Sequence, residues 1–156
     1  MFTENEKLKI IDYLIETPGK VYLGGDSQVF KKKGLWFAKF TCVFIVHIKD
    51  KHGGKIFHYS DVEQIFDKNK NKPRMRLMTE VRKIVDMYID FGELLEDREV
   101  EIHLDINSNH KHNSNLVMKE AIGYVMGMTN IQAKVKPDAW AAAHAGDHYV
   151  RGKHHK

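Results

Sequence analysis

Four acidic residues occupy positions that the sequence predicts to be structurally fixed. Asp26 follows the apolar run VYLGG and ends the first predicted strand, and Asp105 ends a later strand. Glu80 borders the apolar stripe of a helix, and Asp138 begins the last helix. Hard divalent cations prefer carboxylate oxygens, and two such ions about 4 Å apart can activate water for phosphodiester cleavage. The four acids are therefore candidate ligands of a divalent-metal centre.

Each acid also has an ordinary explanation. Asp26 before Ser27 is compatible with a turn, and Asp105 with a simple strand end. Glu80 is compatible with a solvated helix position, and Asp138 with a first-turn acid that complements the helix dipole. An acid beside an apolar stripe is costly unless it is paired or bound to a metal. The spacing alone leaves these alternatives open.

Apolar periodicity predicts the elements that must position these acids. Helices are expected at 5–17, 74–91, 114–128 and 136–150, and strands at 21–25, 35–48, 55–60, 99–107 and 131–135. Gly92 is expected to close the second helix, and KDKHGG at 49–54 to form a hairpin turn. Three strands on short links predict an antiparallel meander, and the helices between later strands predict parallel crossovers. The expected class is α/β, with helices packed on a mixed five-stranded sheet.

Length and composition predict one domain over residues 1–156, and the single cysteine together with the N-terminal and apolar patterns predicts a cytoplasmic location. Residues 1–18 are expected to form an N-terminal helical appendage, and residues 151–156 a disordered tail. No apolar run is long enough to span a bilayer, and the first residues lack the basic start and apolar core of a signal peptide. The single Cys42 lies in an apolar run and is expected to be a buried thiol rather than half of a disulfide.

Basic residues give the chain a formal charge of +4 and a pI of about 9.0. This balance favours a polyanionic partner such as nucleic acid. Lysines and arginines cluster at 31–33, 67–76 and the C-terminus. For any single cluster, a solvated loop is the simpler explanation. The candidate nucleic-acid contacts are Lys31, Lys32, Lys33, Lys72, Arg74 and Arg76.

Five stretches together resemble the YkuK family of predicted ribonuclease H-like nucleases. They are GGDSQ at 24–28, RLMTEV at 76–81, HLDIN at 103–107, GYVMGM at 123–128 and KPDAWAAAHAGD at 136–147. The resemblance covers nearly all of the chain after residue 18. It implies a ribonuclease H-like fold and a metal-dependent nuclease activity.

The resemblance also implies a set of metal ligands and two bound ions, Mg²⁺ or Mn²⁺. The implied ligands are Asp26, Glu80, Asp105 and Asp138. An acid at the start of the last helix resembles the junction-resolvase branch of the fold. Asp147 is a rival fourth ligand on the opposite side of that helix from Asp138. His144 shares a face with Asp147 and is a candidate auxiliary group.

Other functions stay open at this stage. The pair His144 and His148 and the pair His110 and His112 suggest zinc, but neither pair has a placed third ligand. The same fold without catalysis would be a module that binds nucleic acid or a protein partner. A scaffold or assembly role has no specific support. The nucleic-acid type (DNA, RNA, hybrid or junction) and the oligomeric state, with a homodimer as one alternative, are left undecided.

Overall fold

A computed structural model describes residues 1–48, 53–66, 74–107 and 112–145, without the side chains of 107, 112–115 and 143–145. The helices are α1 (Glu4–Glu16), α2 (Arg74–Asp90), α3 (Gly92–Leu95), α4 (His112–Thr129) and α5 (Trp140–Ala145). The strands are β1 (Gly19–Lys32), β2 (Leu35–Ile48), β3 (Gly54–Gln64), β4 (Val100–Asn107) and β5 (Lys134–Lys136). No helix in this part of the chain is long and apolar enough to cross a membrane.

The strands form one mixed sheet in the order β3-β2-β1-β4-β5. β1, β2 and β3 pair antiparallel, whereas β4 pairs parallel with β1 and β5 parallel with β4. This arrangement confirms the predicted five-stranded sheet, with its antiparallel meander followed by parallel strands. It places β1 at the centre of the sheet.

β1 is far longer than predicted, and the expectation that it ends at Asp26 is wrong. β2 pairs with β1 along its whole length, from Gly19 opposite Ile48 to Lys32 opposite Leu35. Backbone hydrogen bonds to β2 therefore keep the polar segment after Asp26 in a strand conformation. The hairpin closes on Lys33 and Gly34, whose φ angles are 51° and 78°. Two successive positive φ angles give a tight turn whose twist matches the paired strands.

One face of the sheet carries the main hydrophobic core. Side chains from α1 to α4 pack there against alternate residues of the strands. On α2, the predicted stripe is buried at Leu77, Val81 and Ile84. Each such side chain contributes roughly 1.5–3 kcal/mol on burial. Cys42 is buried in the same core, and burial raises the pKa of its thiol to about 12.

The opposite face is covered by α5. Its Ala141 packs with Val43 and Ile45 of β2. The helix backbone lies directly on β1, because a Cβ at Gly24 would come within 2.8 Å of Ala141 C. The Nδ1 atom of the buried His103 accepts a hydrogen bond from Ala141 N at 3.0 Å. β4 is therefore covered on both faces at this point, although its apolar and polar residues alternate as predicted.

Several later boundaries differ from the predictions. Gly92 does not close a helix but begins the short α3, and β5 covers 134–136 rather than 131–135. The last helix begins at Trp140 rather than near Pro137. Asp138 N donates instead to Val135 O at 2.9 Å, which forms a turn before the helix. Most of the predicted 49–54 turn and the 151–156 tail lie outside the described residues.

Candidate metal centre

Three carboxylates meet where β1 and β4 separate. One oxygen each from Asp26, Glu80 and Asp105 lies within 4.8 Å of the others. The parallel ladder pairs residues 21–24 with 100–103, so that Gly24 lies opposite His103. Asp26 and Asp105 stand at matching positions two residues beyond this last pair. The register of the sheet therefore brings these two acids together.

Glu80 reaches the same point from α2. This helix packs closely on β1, since a Cβ at Gly25 would lie 3.2 Å from the side chain of Ile84, one turn after Glu80. Glu80 is only 3% exposed. A carboxylate that is removed from water needs hydrogen-bond donors or opposite charge. The Ser27 hydroxyl donates a short hydrogen bond to Glu80 Oε2.

Ser27 is a site residue that the sequence reasoning missed. It is buried, and its backbone N–H donates to Asp26 Oδ1 at 2.8 Å. That amide lies on the stretch of β1 beyond its pairing with β4. Ser27 thus contacts two of the three acids, one through its amide and one through its hydroxyl. The stretch GGDSQ carries no local signal for the contact with Glu80, because that contact depends on how α2 packs on β1.

Asp105 has a basic partner that was also not foreseen. Lys136 Nζ of β5 lies 2.5 Å from Asp105 Oδ1. The Asp105 side chain is 13% exposed, and that of Lys136 is 45% exposed. An ammonium group therefore contacts one of the three carboxylates.

The donor set fits a hard divalent cation. Mg²⁺ binds oxygen ligands at about 2.0–2.1 Å, so two opposite ligands stand about 4.2 Å apart. At most one pair among three ligands of an octahedral ion is opposite, and the other pairs are about 3 Å apart. The three oxygens, which lie within 4.8 Å of one another, would therefore move closer together around an ion. The oxygen chemistry of the three side chains suits a hard divalent cation.

Comparison with known families agrees with this architecture. A family model described as Ribonuclease H-like matches residues 7–151. The chain belongs to the ribonuclease H-like family. No match is found among curated protein sequences. The likeness to the narrower YkuK family stays a prediction.

Solved nuclease structures are similar to parts of this ribonuclease H-like chain. Endonuclease V from Bacillus subtilis is 14% identical with a TM-score of 0.33, over 67% of this chain and 45% of that one. The NurA nuclease from Sulfolobus solfataricus is 13% identical with a TM-score of 0.37, over 84% of this chain and 47% of that one. The chain thus spans less than half the length of either structure.

Asp138, the fourth predicted ligand, does not belong to the group of Asp26, Glu80 and Asp105. Asp138 is exposed and lies in the turn before α5, so its predicted place at the start of the last helix is wrong. It is absent from the cluster that the described residues form. The rival Asp147 lies outside the described residues. His144 belongs to α5, but its side chain is not described.

The zinc alternative depends on residues that are not described in full. His110 and His148 lie outside the described residues, and the side chains of His112 and His144 are not described. The zinc reading therefore stays an untested alternative.

The lysines at 31–33 lie at the end of the β1–β2 hairpin. Lys31 and Lys32 end β1, Lys33 lies in the turn, and all three are exposed. Lys31 Nζ lies 5.7 Å from the centre of the Trp36 ring. The same strand therefore holds Asp26 and, five to six residues later, two of these cations.

The second basic segment is described only in part, since Lys72 lies outside the described residues. Arg74 Nε donates to Glu120 Oε1 at 2.7 Å, so this guanidinium is already engaged. Arg76 precedes Glu80 by one helical turn. Its Nε is buried and has no hydrogen-bond partner among the residues that the structure describes.

Proposed function

We propose that this ribonuclease H-like chain is a divalent-metal-dependent nuclease that hydrolyses phosphodiester bonds of nucleic acid. The observation that carries the proposal is the convergence of three carboxylate oxygens within 4.8 Å. Membership of the ribonuclease H-like family supports it. Asp26, Glu80 and Asp105 would hold Mg²⁺ or Mn²⁺. The resemblance to the YkuK family belongs to the same proposal.

The bound metal would lower the pKa of a water molecule and offset the charge that develops on the phosphate. The protein's own part is to hold the three carboxylates in place. Asp26 and Asp105 are fixed by two neighbouring strands, and Glu80 by α2 and the Ser27 hydroxyl. Rigid elements hold such groups more precisely than loops do.

A second ion requires further ligands and is also a proposal. Asp138 and Asp147 remain the two candidates for a fourth acid. Asp138 is exposed and outside the three-acid group. The exposed lysines Lys31, Lys32 and Lys33 would attract the phosphates of the substrate. The proposed activity covers DNA, RNA, hybrid and junction substrates. A homodimer is an untested alternative for the oligomeric state.

The proposal is tested by Asp26→Asn, which keeps the size of the side chain and removes its charge. We expect Mn²⁺-dependent cleavage of labelled DNA, RNA, hybrid or junction substrates to fall more than about 100-fold, since even outer partners of metal ligands contribute 10–100-fold. Asp90→Asn is the matched control. Asp90 is on α2 and pairs with Lys7 at 3.5 Å, outside the three-acid group. Equal activity of the Asp26 variant and wild type would refute the proposal.

A second function, nucleic-acid binding without catalysis, is favoured by one observation. Lys136 contacts Asp105 and so offsets part of the charge of the three acids without a metal. Convergent acids that have a basic partner depend less on an ion for their stability than acids without one. Wild-type protein that binds these four substrates but leaves them intact in Mn²⁺ would support this alternative.

A further inference from the structure

The short strand β5 presents two lysines to two acids of β4. Lys134 Nζ lies 3.0 Å from Glu101 Oε1, and Lys136 Nζ lies 2.5 Å from Asp105 Oδ1. The two lysine side chains are almost equally exposed, at 47% and 45%. Their acids differ in place, because Asp105 belongs to the three-carboxylate group and Glu101 does not. The two ion pairs therefore have similar distances and exposure, but only the pair of Lys136 and Asp105 includes a residue of the candidate metal centre.

An ammonium group and a divalent ion compete for the same carboxylate oxygen. An ion about 2.1 Å from Asp105 Oδ1 would lie at most about 4.6 Å from an ammonium that kept its present position. Positive charges at that separation repel one another even near a solvated surface. The lysine side chain has a flexible four-carbon stem and a strongly hydrated head. Since nearly half of the Lys136 side chain is exposed, its ammonium has access to water when it leaves Asp105.

We propose that Lys136 is a built-in counter-ion of the metal centre. It occupies Asp105 while the centre lacks metal, reduces repulsion among the three carboxylates, and leaves Asp105 Oδ1 when a divalent ion binds. Lys136 thereby lowers the affinity of the centre for metal. This inference rests on the proposed function, because it assumes that Asp26, Glu80 and Asp105 hold an ion.

The test is titration of the full chain with MnCl₂ in a calorimeter, without nucleic acid. Lys136→Met keeps the apolar stem and removes the charge. We expect it to bind Mn²⁺ about three- to fivefold more tightly than wild type, near the upper end of what the loss of one partly exposed ion pair changes. Lys134→Met is the matched control, since it removes the same charge from the same strand but from Glu101. We expect its affinity to stay within about twofold of wild type.

The possible outcomes separate this inference from the proposed function. Binding by wild type with an unchanged or weaker affinity in Lys136→Met overturns the inference and leaves the metal centre standing. Equal tightening by both lysine variants also overturns it, because net charge would then explain the effect. Mn²⁺ heat that persists in Asp105→Asn, or no heat in wild type, overturns the metal centre and the inference with it. If Lys136→Met does not fold by circular dichroism, Lys136→Gln is titrated in its place with the same expectations.

Discussion

At the level of single residues, the chemistry of the centre depends on how Glu80 is held. Its carboxylate is nearly removed from water, and the Ser27 hydroxyl is a direct donor to it. Hydrogen bonds to charged groups are stronger than those between neutral groups. Ser27 is therefore both a stabilising residue and a positioning residue for Glu80.

Ser27→Ala should destabilise the protein by about 1.5–3 kcal/mol, the usual contribution of a hydrogen bond to a charged group. Ser60→Ala is the control, because Ser60 Oγ makes a 2.8 Å bond to the neutral Thr41 hydroxyl. Ser60→Ala should lower the free energy of unfolding by about 1 kcal/mol or less. Urea unfolding without metal measures both. Equal losses in the two variants would contradict the assigned role of Ser27.

The sequence predicted Asp26, Glu80 and Asp105 as ligands of one metal centre, because strand ends and a helical stripe can be recognised from the local pattern. It did not predict Ser27 or Lys136 as partners of these acids. Ser27 and Glu80 are separated by 53 positions, and their contact depends on how α2 packs on β1. Lys136 reaches Asp105 only because β5 pairs beside β4. Such long-range contacts leave no local periodic signal.

At the level of elements, the packing of α5 on β1 allows no side chain at Gly24. An added Cβ would meet Ala141 C and Ala142 N, both backbone atoms, at 2.8 Å. Backbone atoms cannot move aside without a shift of the whole helix. The glycine pair of GGDSQ therefore has a packing role next to the acids.

Gly24→Ala should destabilise the protein by about 1–3 kcal/mol, the usual cost of overpacking. Gly123→Ala is the matched control, since Gly123 lies inside α4 and an added Cβ would meet no described atom outside its own stretch of helix within 4 Å. That change should be neutral or stabilise by up to about 1 kcal/mol, because alanine favours helix. Thermal unfolding of both variants measures the difference. Two variants of equal stability would show that α5 adjusts freely.

Glu101 joins three strands through its charge. Lys20 of β1, the buried His103 beside it on β4, and Lys134 of β5 all bond to it. Burial alone would raise the pKa of Glu101. The hydrogen bonds from Lys20, His103 and Lys134 outweigh burial and lower that pKa from 4.5 to about 2. The stabilisation from ionised Glu101 is therefore complete above pH 4.5 and is lost as the pH falls towards 2.

The stability of wild type should consequently fall more steeply than that of Glu101→Gln between pH 5 and pH 3. Urea unfolding at several pH values in this range measures the two slopes. Glu99→Gln is the control, because Glu99 also contacts Lys20 but its side chain is 72% exposed. We expect its slope to match that of wild type. Parallel slopes for wild type and Glu101→Gln would show that ionisation of Glu101 does not cause the loss of stability at low pH.

The strands differ in how well local sequence predicted them. β2 was predicted with its observed bounds because its apolar, β-branched run is typical of a buried strand. β1 was predicted too short because its second half is polar and reads as a loop. Pairing with β2 decides its length, and the turn at Lys33 and Gly34 was the available signal. The three-residue β5 is held by its pairing with β4 rather than by propensity.

At the level of the whole molecule, charge is distributed unevenly along the central strand. Asp26 lies at the three-acid group, and β1 continues from there to the exposed Lys31 and Lys32. At about 3.4 Å per residue, the first of these cations is about 17 Å from Asp26 along the strand. Acids alone would repel a phosphate chain, so a nuclease of this fold needs cations that attract it.

The final prediction concerns the triple variant in which Lys31, Lys32 and Lys33 are replaced by alanine. Each phosphate contact contributes about −0.9 to the slope of log affinity against log salt on duplex DNA. Loss of up to three contacts should therefore flatten that slope by up to about 2.7. Fluorescence anisotropy measures binding of labelled nucleic acid in Ca²⁺, in which we expect poor cleavage because Ca²⁺ accepts looser coordination than Mg²⁺. The melting temperature should change little, because exposed lysines contribute little to stability.

The control for this variant is a second triple replacement at exposed lysines elsewhere, Lys9, Lys55 and Lys119. It changes the net charge by the same amount and leaves the hairpin end intact. A flattened slope in the hairpin variant alone assigns phosphate contacts to that end of β1, since a uniform loss of charge would alter both variants equally. Equal slopes in the two variants would show that the hairpin lysines are only a solvated turn. The path of the nucleic acid would then have to reach the three acids from another side.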